Sequence, residues 1–315
     1  MKQRFLAEST FTNYRAKARL LDKYFKSFGL ESIRKRDVQE FIAHLDRKGY
    51  SNKTINEYLI VLRGVLEDAV EDGVITRNPM INIKNLKTLK SEPEPFSSDE
   101  IRRIIEASLS FSNEIAMFQL GVYCGLRISE LLGLCWEDID LSKAVISIRR
   151  AKVQGKFKTP KTAGSNRRIE LTSRAVQLLT SLRALNAKQR SRVHDVTMED
   201  NKTVRHVRLT PVFLNSNTGR PISNESHYAK YFFKPLLVKA GVRYRGPNTA
   251  RHTFASQMLT KGLPIAWIAS NLGHNSTVML FKHYGKLIAE DAPDYSAMRE
   301  EVYQTFDVLP QSLAA

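Results

Sequence analysis

Four short stretches of this chain carry side chains whose types and spacing suit work on an anion. In "CGLRISELLGL", residues 124–134, Arg127 and Glu130 lie three apart in an otherwise apolar helix-forming run, close enough on a helix to touch. An unpaired charge in an apolar interior costs several kcal/mol. The arginine is therefore either one half of an exposed ion pair worth about 0.2–0.5 kcal/mol, or is turned by Glu130 toward an incoming anion, for which its planar fork of donors is well matched. In "GPNTARHTFASQMLTKG", Pro247 suits a first helical turn, Gly262 suits an end, and Asn248, Arg251 and Ala255 share a face. Helix amino termini attract phosphate in their own right. In "LGHNSTVMLFKHYGKL", Gly273 and His274 close one helix and Tyr284 lies near the end of the next. The fourth stretch, "KFKTPKTAGSNRR", gathers Lys156, Lys158, Lys161, Arg167 and Arg168 around a turn. Taken singly, each has an ordinary reading: a solvated first-turn arginine, a hydrogen-bonded histidine, a packed tyrosine.

The elements that must position these groups are mostly helical. Between Thr10 and Val74 the apolar period predicts three helices, with Leu20, Leu21, Tyr24 and Phe25 in the first, "DVQEFIAHL" in the second, and a third that Gly73 would end. A basic linker follows, carrying Lys84, Lys87 and Lys90 with Pro93 and Pro95, extended enough to track a phosphate backbone. Ser97 and Glu100 have capping-box spacing, so a new helix and a second domain start there. The expected division is a helical domain over 1–84, a linker over 85–96, a mixed domain over 97–288 and a tail over 289–315. Within the second domain, "KAVISIRRAKVQGKFKTPKTAGSNRRIELT" reads as a small antiparallel sheet, and residues 188–209 as a surface loop or a short hairpin. Helices are expected near 223–240, 248–261 and 264–271. The fold class is thus mainly α with a small antiparallel β-sheet.

A net charge of +17 on 315 residues, with 42% hydrophobic residues, describes a globular protein that attracts polyanions, nucleic acid foremost. No apolar run is long enough to span a bilayer, which weighs against a membrane partner. Cys124 and Cys135 fit no metal-ligand spacing and read as reduced core thiols of an intracellular protein.

Taken in order, "GLRISELLGL", a lysine in a basic β-turn, "ARHTFAS", "LGH" and a tyrosine ten residues further on resemble the catalytic domain of the tyrosine recombinases, the phage-integrase family. The helical first domain and its linker resemble that family's core-binding domain. The resemblance implies a DNA strand transferase whose two domains clamp duplex DNA. Arg127 and Arg251 would hold the scissile phosphate, Tyr284 would become joined to a DNA 3′ phosphate, and Lys161 would protonate the leaving 5′ hydroxyl, with Lys156 and Lys158 as rivals for that duty. His274 would hydrogen-bond the phosphate and Glu130 would support Arg127. Arg167 and Arg168, with the linker lysines, would contact the DNA backbone, as phosphate contacts fix register without reading sequence. One position departs from the family pattern. Asn248 stands where a histidine precedes the second arginine by three residues, and asparagine cannot exchange a proton near neutrality.

This chemistry needs no metal or nucleotide cofactor, because the bond energy is kept in the phosphotyrosine. The implied partners are double-stranded attachment sites, a homotetramer assembled on them, and accessory DNA-bending or directionality proteins. The implied setting is the cytoplasm of a bacterial or phage-infected cell, on the nucleoid. A further amino-terminal domain for arm-type sites, carried by many members, does not show in the sequence. The tail segment "YSAMREEVYQTF" suits docking on a neighbouring protomer or on its own domain. The rival readings are a resolvase or topoisomerase-like enzyme of the same chemistry, and an architectural or regulatory DNA-binding protein whose catalysis has lapsed.

Overall fold

The computed structural model describes residues 8–89, 94–160, 166–274, 276–284 and Asp291. Lys90, Lys161 and the tail segment "YSAMREEVYQTF" lie outside the described residues. The chain divides into two compact units, Met1–Ser91 and Glu92–Ala315.

The first unit holds α1 (Glu8–Tyr24), α2 (Lys35–Arg47) and α3 (Asn52–Glu71). Helix α3 starts where the Ser51 hydroxyl accepts the Thr54 N–H, relieving one of the unpaired donors of a first turn. Its buried Ile55, Leu59, Leu62 and Leu66 recur at helical spacing and pack against Val38, Phe41 and Leu45 of α2. The expected linker does not hang free at its start. Asn56 on α3 accepts the Leu86 N–H at 2.8 Å and donates to the Leu86 carbonyl at 2.9 Å, and Asn52 donates to the Lys87 carbonyl at 2.7 Å. The Asn56 side-chain amide thus serves Leu86 as a strand neighbour would, while Lys84 and Lys87 remain exposed.

In the second unit Phe96 is fully buried and its N–H reaches the Thr253 hydroxyl at 2.9 Å, so the far end of the same stretch belongs to the core of the second unit. Ser97 and Glu100 form the expected capping box at the head of α4 (Ser98–Ala107). Helix α5 (Asn113–Cys124), buried on nearly every side, is the centre around which α6 (Ile128–Gly133), α7 (Ser173–Leu185) and α10 (Thr249–Thr260) pack. Both thiols are free and buried, and burial pushes each up to about 12.

The strand-forming run yields two sheets rather than one. Strands β1 (Ile139–Asp140), β2 (Val145–Ile148) and β5 (Arg167–Glu170) form an antiparallel sheet in the order β1-β2-β5. Past Arg149 and Arg150 the chain starts a second sheet of β3 (Ala151–Val153), β4 (Lys156–Lys158), β6 (Arg192–Thr197) and β7 (Val204–Leu209), with β4 and β6 parallel. The polar stretch 188–209 is therefore a hairpin. It is held because Val196 and Leu209 close over Phe157 and Cys135. Helices α8 (Glu225–Tyr228) and α9 (Lys234–Lys239) are joined by a π turn over Ala229–Phe233, and α11 (Ile265–Leu272) and α12 (Thr277–Tyr284) complete the unit.

Helix α6 reaches the second sheet through Gly133. A Cβ built there would lie 2.7 Å from the Ala151 Cα and 2.9 Å from the Lys152 backbone nitrogen, and backbone cannot swing aside. Gly133→Ala is expected to lower the unfolding midpoint in urea by an amount equivalent to about 1–3 kcal/mol, the usual cost of overpacking. An unchanged midpoint would show that α6 and β3 are not held in this contact.

Candidate active site

Arg127 is not inside helix α6 but at its head. It is the N-cap residue, with extended backbone, and its N–H donates to Glu130 Oε2 at 3.0 Å. Its Nη1 donates to Glu130 Oε1 at 2.7 Å. The expected local pair is present, yet it is half of a larger arrangement. Arg167, first residue of β5, grips the same carboxylate from the other side through Nη1 to Oε1 at 3.1 Å and Nη2 to Oε2 at 2.8 Å, and its Nε donates to the Asn271 carbonyl at 2.6 Å. Side-chain exposure is 38% for Arg127 and 6% for both Glu130 and Arg167. Burial alone would raise the Glu130 carboxyl, but the hydrogen bonds and charge of Arg167, with the charge of Arg127, hold it at about 2.

Arg167 was expected on the DNA backbone; its side chain turns inward onto Glu130 and Asn271. In β5 residues alternate between faces. Ile169 is buried and Arg167 shares its face, whereas Arg168 points the other way and is exposed. The turned-in guanidinium is spent on Glu130 and Asn271. A period of two through "RRIEL" carried this signal in the sequence, masked by the cationic neighbours on either side.

Arg251 lies in the first turn of α10, 4% exposed. Its Nη1 donates to the Gly125 carbonyl at 2.9 Å and its Nη2 to the Leu272 carbonyl at 2.7 Å. Gly125 is the left-handed C-cap of α5 and Leu272 ends α11, so one guanidinium satisfies carbonyls at the negative ends of two helices. Its pKa is drawn down to about 10, by burial first and the charge of Arg127 next, with Glu130 and Tyr284 pulling the other way. It stays cationic at neutral pH.

His274 follows Gly273, the left-handed C-cap of α11, and its N–H returns to the Ala269 carbonyl at 3.0 Å. That turn sets the His274 Nε2 3.0 Å from Arg251 Nη2. The ring of Tyr284, 5% exposed, stacks on His274 with centroids 6.0 Å apart and planes inclined by 20°, and lies 5.3 Å from the His252 ring. Phe254, Ile268, Leu272 and Leu280 pack with it. The phenol, His274, Arg251, Glu130 and Arg127 thus form one electrostatically linked cluster drawn from α5–α6, α10, α11 and α12.

Asn248 sits just before α10. Its Oδ1 accepts the N–H of Ile128, the residue after Arg127, at 3.1 Å, and its Nδ2 faces Glu225 Oε1 at 3.4 Å. The side chain ties the heads of the two arginine-bearing helices together. Glu225, whose carboxyl burial pushes up, was not found in the sequence because no local pattern pairs residues 23 apart. Lys156 and Lys158 lie on the face of β4 opposite the buried Phe157. Lys161, three residues past the end of β4, cannot be set against the cluster because it is outside the described residues. Among the described residues no group of three or more His, Cys, Asp or Glu is placed to hold a metal ion, and no helix is long and apolar enough to cross a membrane.

The chain is similar to known proteins over nearly its whole length. The model of the Phage integrase family matches residues 94–290, and that of the Phage integrase SAM-like domain matches residues 1–85. Two Escherichia coli K12 proteins are similar over most of this chain. IntQ, whose name includes the word defective, is 33% identical over 77% of this chain and 62% of its own length; the prophage integrase IntR is 31% identical over 80% and 62%. The chain therefore spans 62% of the length of these relatives. The integrase of transposon Tn1549, solved with transposon right end DNA, has a TM-score of 0.73 at 20% identity, covering 95% of this chain and 94% of that one. At that identity the likeness is one of fold.

Proposed function

The chain belongs to the phage integrase family, and from that premise we propose that it is a site-specific DNA recombinase, integrating or excising a phage or mobile element through a covalent 3′-phosphotyrosine. The observation that carries this reading is the stacking of Tyr284 on His274, itself hydrogen-bonded to Arg251, because it brings a phenol and fixed cations to one place.

In the proposed step the Tyr284 oxygen attacks the scissile phosphorus, the O–P bond to tyrosine forms, and the bond from phosphorus to the 5′ oxygen breaks. Negative charge grows on the nonbridging oxygens, so guanidiniums held in advance stabilise the transition state more than the ground state. The phenolic proton leaves to solvent as the oxygen attacks, and the neighbouring cations favour the oxyanion. The departing 5′ oxygen takes a proton, assigned to Lys161. The 5′ hydroxyl of the exchanged strand then reverses the step, and exchange of two duplexes calls for four such sites, hence a homotetramer on DNA. Lys156, Lys158, Arg168, Lys84, Lys87 and Lys90 are assigned to phosphate contacts. A protein of this fold with lapsed catalysis is the weaker reading, since Tyr284 and both arginines are retained.

A duplex half-site nicked beside the crossover point tests the proposal, because loss of the short 5′ fragment traps the intermediate. An adduct stable in detergent is expected. Binding without any adduct would leave only the lapsed reading. Noncovalent affinity should fall steeply with salt, log K dropping about 0.9 per log unit for each phosphate contacted; a flat profile would remove the assigned phosphate contacts.

Asn248 makes a separate prediction. Since its amide cannot titrate, the parent cleavage rate should lack an inflection belonging to this position. Asn248→His should introduce one near pH 6–7, around the ordinary imidazole pKa of about 6.5, measured as single-turnover rate against pH. Identical profiles would show that position 248 takes no part in proton movement.

A further inference from the structure

Glu130 faces two arginines of opposite character, one half-exposed and one buried. Were Arg127 its sole partner, the pair would present no net charge to an approaching phosphodiester. With Arg167 gripping both carboxylate oxygens, the trio carries one net positive charge. That charge is available on the exposed member: among the described residues, Nε and Nη2 of Arg127 have no hydrogen-bond partner, its Nη1 being the atom that meets Glu130. The bidentate geometry is the strong form of the guanidinium–carboxylate bond, and it lies on the buried side.

We infer that Arg167 is a positioning residue for strand cleavage: it satisfies Glu130 from within, so that Glu130 can aim Arg127 without cancelling its charge. The same side chain extends the effect to the second arginine. Its Nε holds the Asn271 carbonyl at 2.6 Å, next to the Leu272 carbonyl that Arg251 holds at 2.7 Å. One buried guanidinium therefore fixes the head of α6 and the end of α11 in register, and with them the two cations assigned to the scissile phosphate. In sequence, β5 is the strand that follows Lys161, and Arg167 is its first residue.

The inference rests on the recombinase reading, and the experiment separates the two. Single-turnover cleavage of the nicked half-site is measured at saturating protein, with DNA affinity by gel shift and folding by thermal melting. Arg167→Lys keeps the cation and loses the fork; it should bind DNA within about twofold of the parent and cleave at least about tenfold more slowly. Arg167→Gln should lose about a hundredfold in rate. The double variant Glu130→Gln/Arg167→Gln removes the carboxylate that needs offsetting, and should recover at least about tenfold over Arg167→Gln at the same affinity. Arg167→Lys, read against the parent, keeps the test open if the single glutamine variant does not fold. Parental cleavage by folded Arg167→Lys, no recovery in the double variant, or rate losses matched by equal losses of affinity would overturn the inference. A parent that binds the half-site and forms no adduct would overturn the recombinase reading, and this inference with it.

Discussion

Tyr284→Phe is expected to abolish covalent capture of DNA while leaving the fold and the noncovalent affinity close to those of the parent. The ring is 5% exposed and packed among Phe254, Ile268, Leu272 and Leu280, against the His274 face. Phenylalanine fills the same space and keeps the stacking. Only the hydroxyl is lost, at about 0.5–1.5 kcal/mol for a typical hydrogen bond, against the whole of the nucleophilic chemistry. Detergent-stable adduct on the nicked half-site, beside gel-shift affinity and a melting curve, separates the effects. A persisting adduct would mean another nucleophile; adduct and affinity lost together would mean that Tyr284 chiefly holds the fold.

The largest expected effect on stability belongs to Glu130→Ala. Removing this carboxylate leaves Arg167, 6% exposed, as a buried cation without its counter-ion, and breaking a buried pair in this way costs on the order of 3–5 kcal/mol. The pH dependence carries a sign that can be checked. Burial would raise the Glu130 carboxyl, and Arg167 and then Arg127 bring it below the ordinary 4.5 to about 2. A carboxylate depressed in the folded state stabilises fully above its unfolded pKa, and that stability is lost as pH falls through the folded value. The parent should therefore lose on the order of 3 kcal/mol between about pH 4.5 and about pH 2 from this group, a decline absent from the alanine variant. Urea unfolding at pH 7 and across the acid range measures both. An alanine variant as stable as the parent would show that Arg167 finds equal partners elsewhere.

How much of this was legible in the sequence depended on whether the pattern was local. Ser97 with Glu100, Arg127 with Glu130, and the helix end at Gly273 and His274 are set by neighbours three to five residues away, and each appears with its expected contact. The small sheet was legible as strands but not as two sheets, because the pairing of β4 with β6 joins residues some forty apart and leaves no period to read. The linker looked free because Asn56 and Leu86 are thirty apart, and single side chain to backbone bonds have no sequence signature. The inward placement of Arg167 was the least legible. Its neighbours made it look like one more surface cation, while the alternation along β5 assigned it to the buried face beside Ile169. What placed it there was the need of a buried carboxylate for a second cation, a requirement visible only once α6 and β5 are side by side.

In the proposed reaction these residues, far apart in the chain, meet at one phosphorus with the tyrosine oxygen as attacking atom. The adduct formed on a nicked half-site can be digested and its DNA-linked peptide sequenced by mass spectrometry, with the free DNA end identified chemically. The expected result is a single peptide containing Tyr284 joined through a 3′ phosphate, with a free 5′ hydroxyl on the released fragment. Attachment at another residue, or through a 5′ phosphate, would contradict the assignment of the nucleophile and the polarity of the step together.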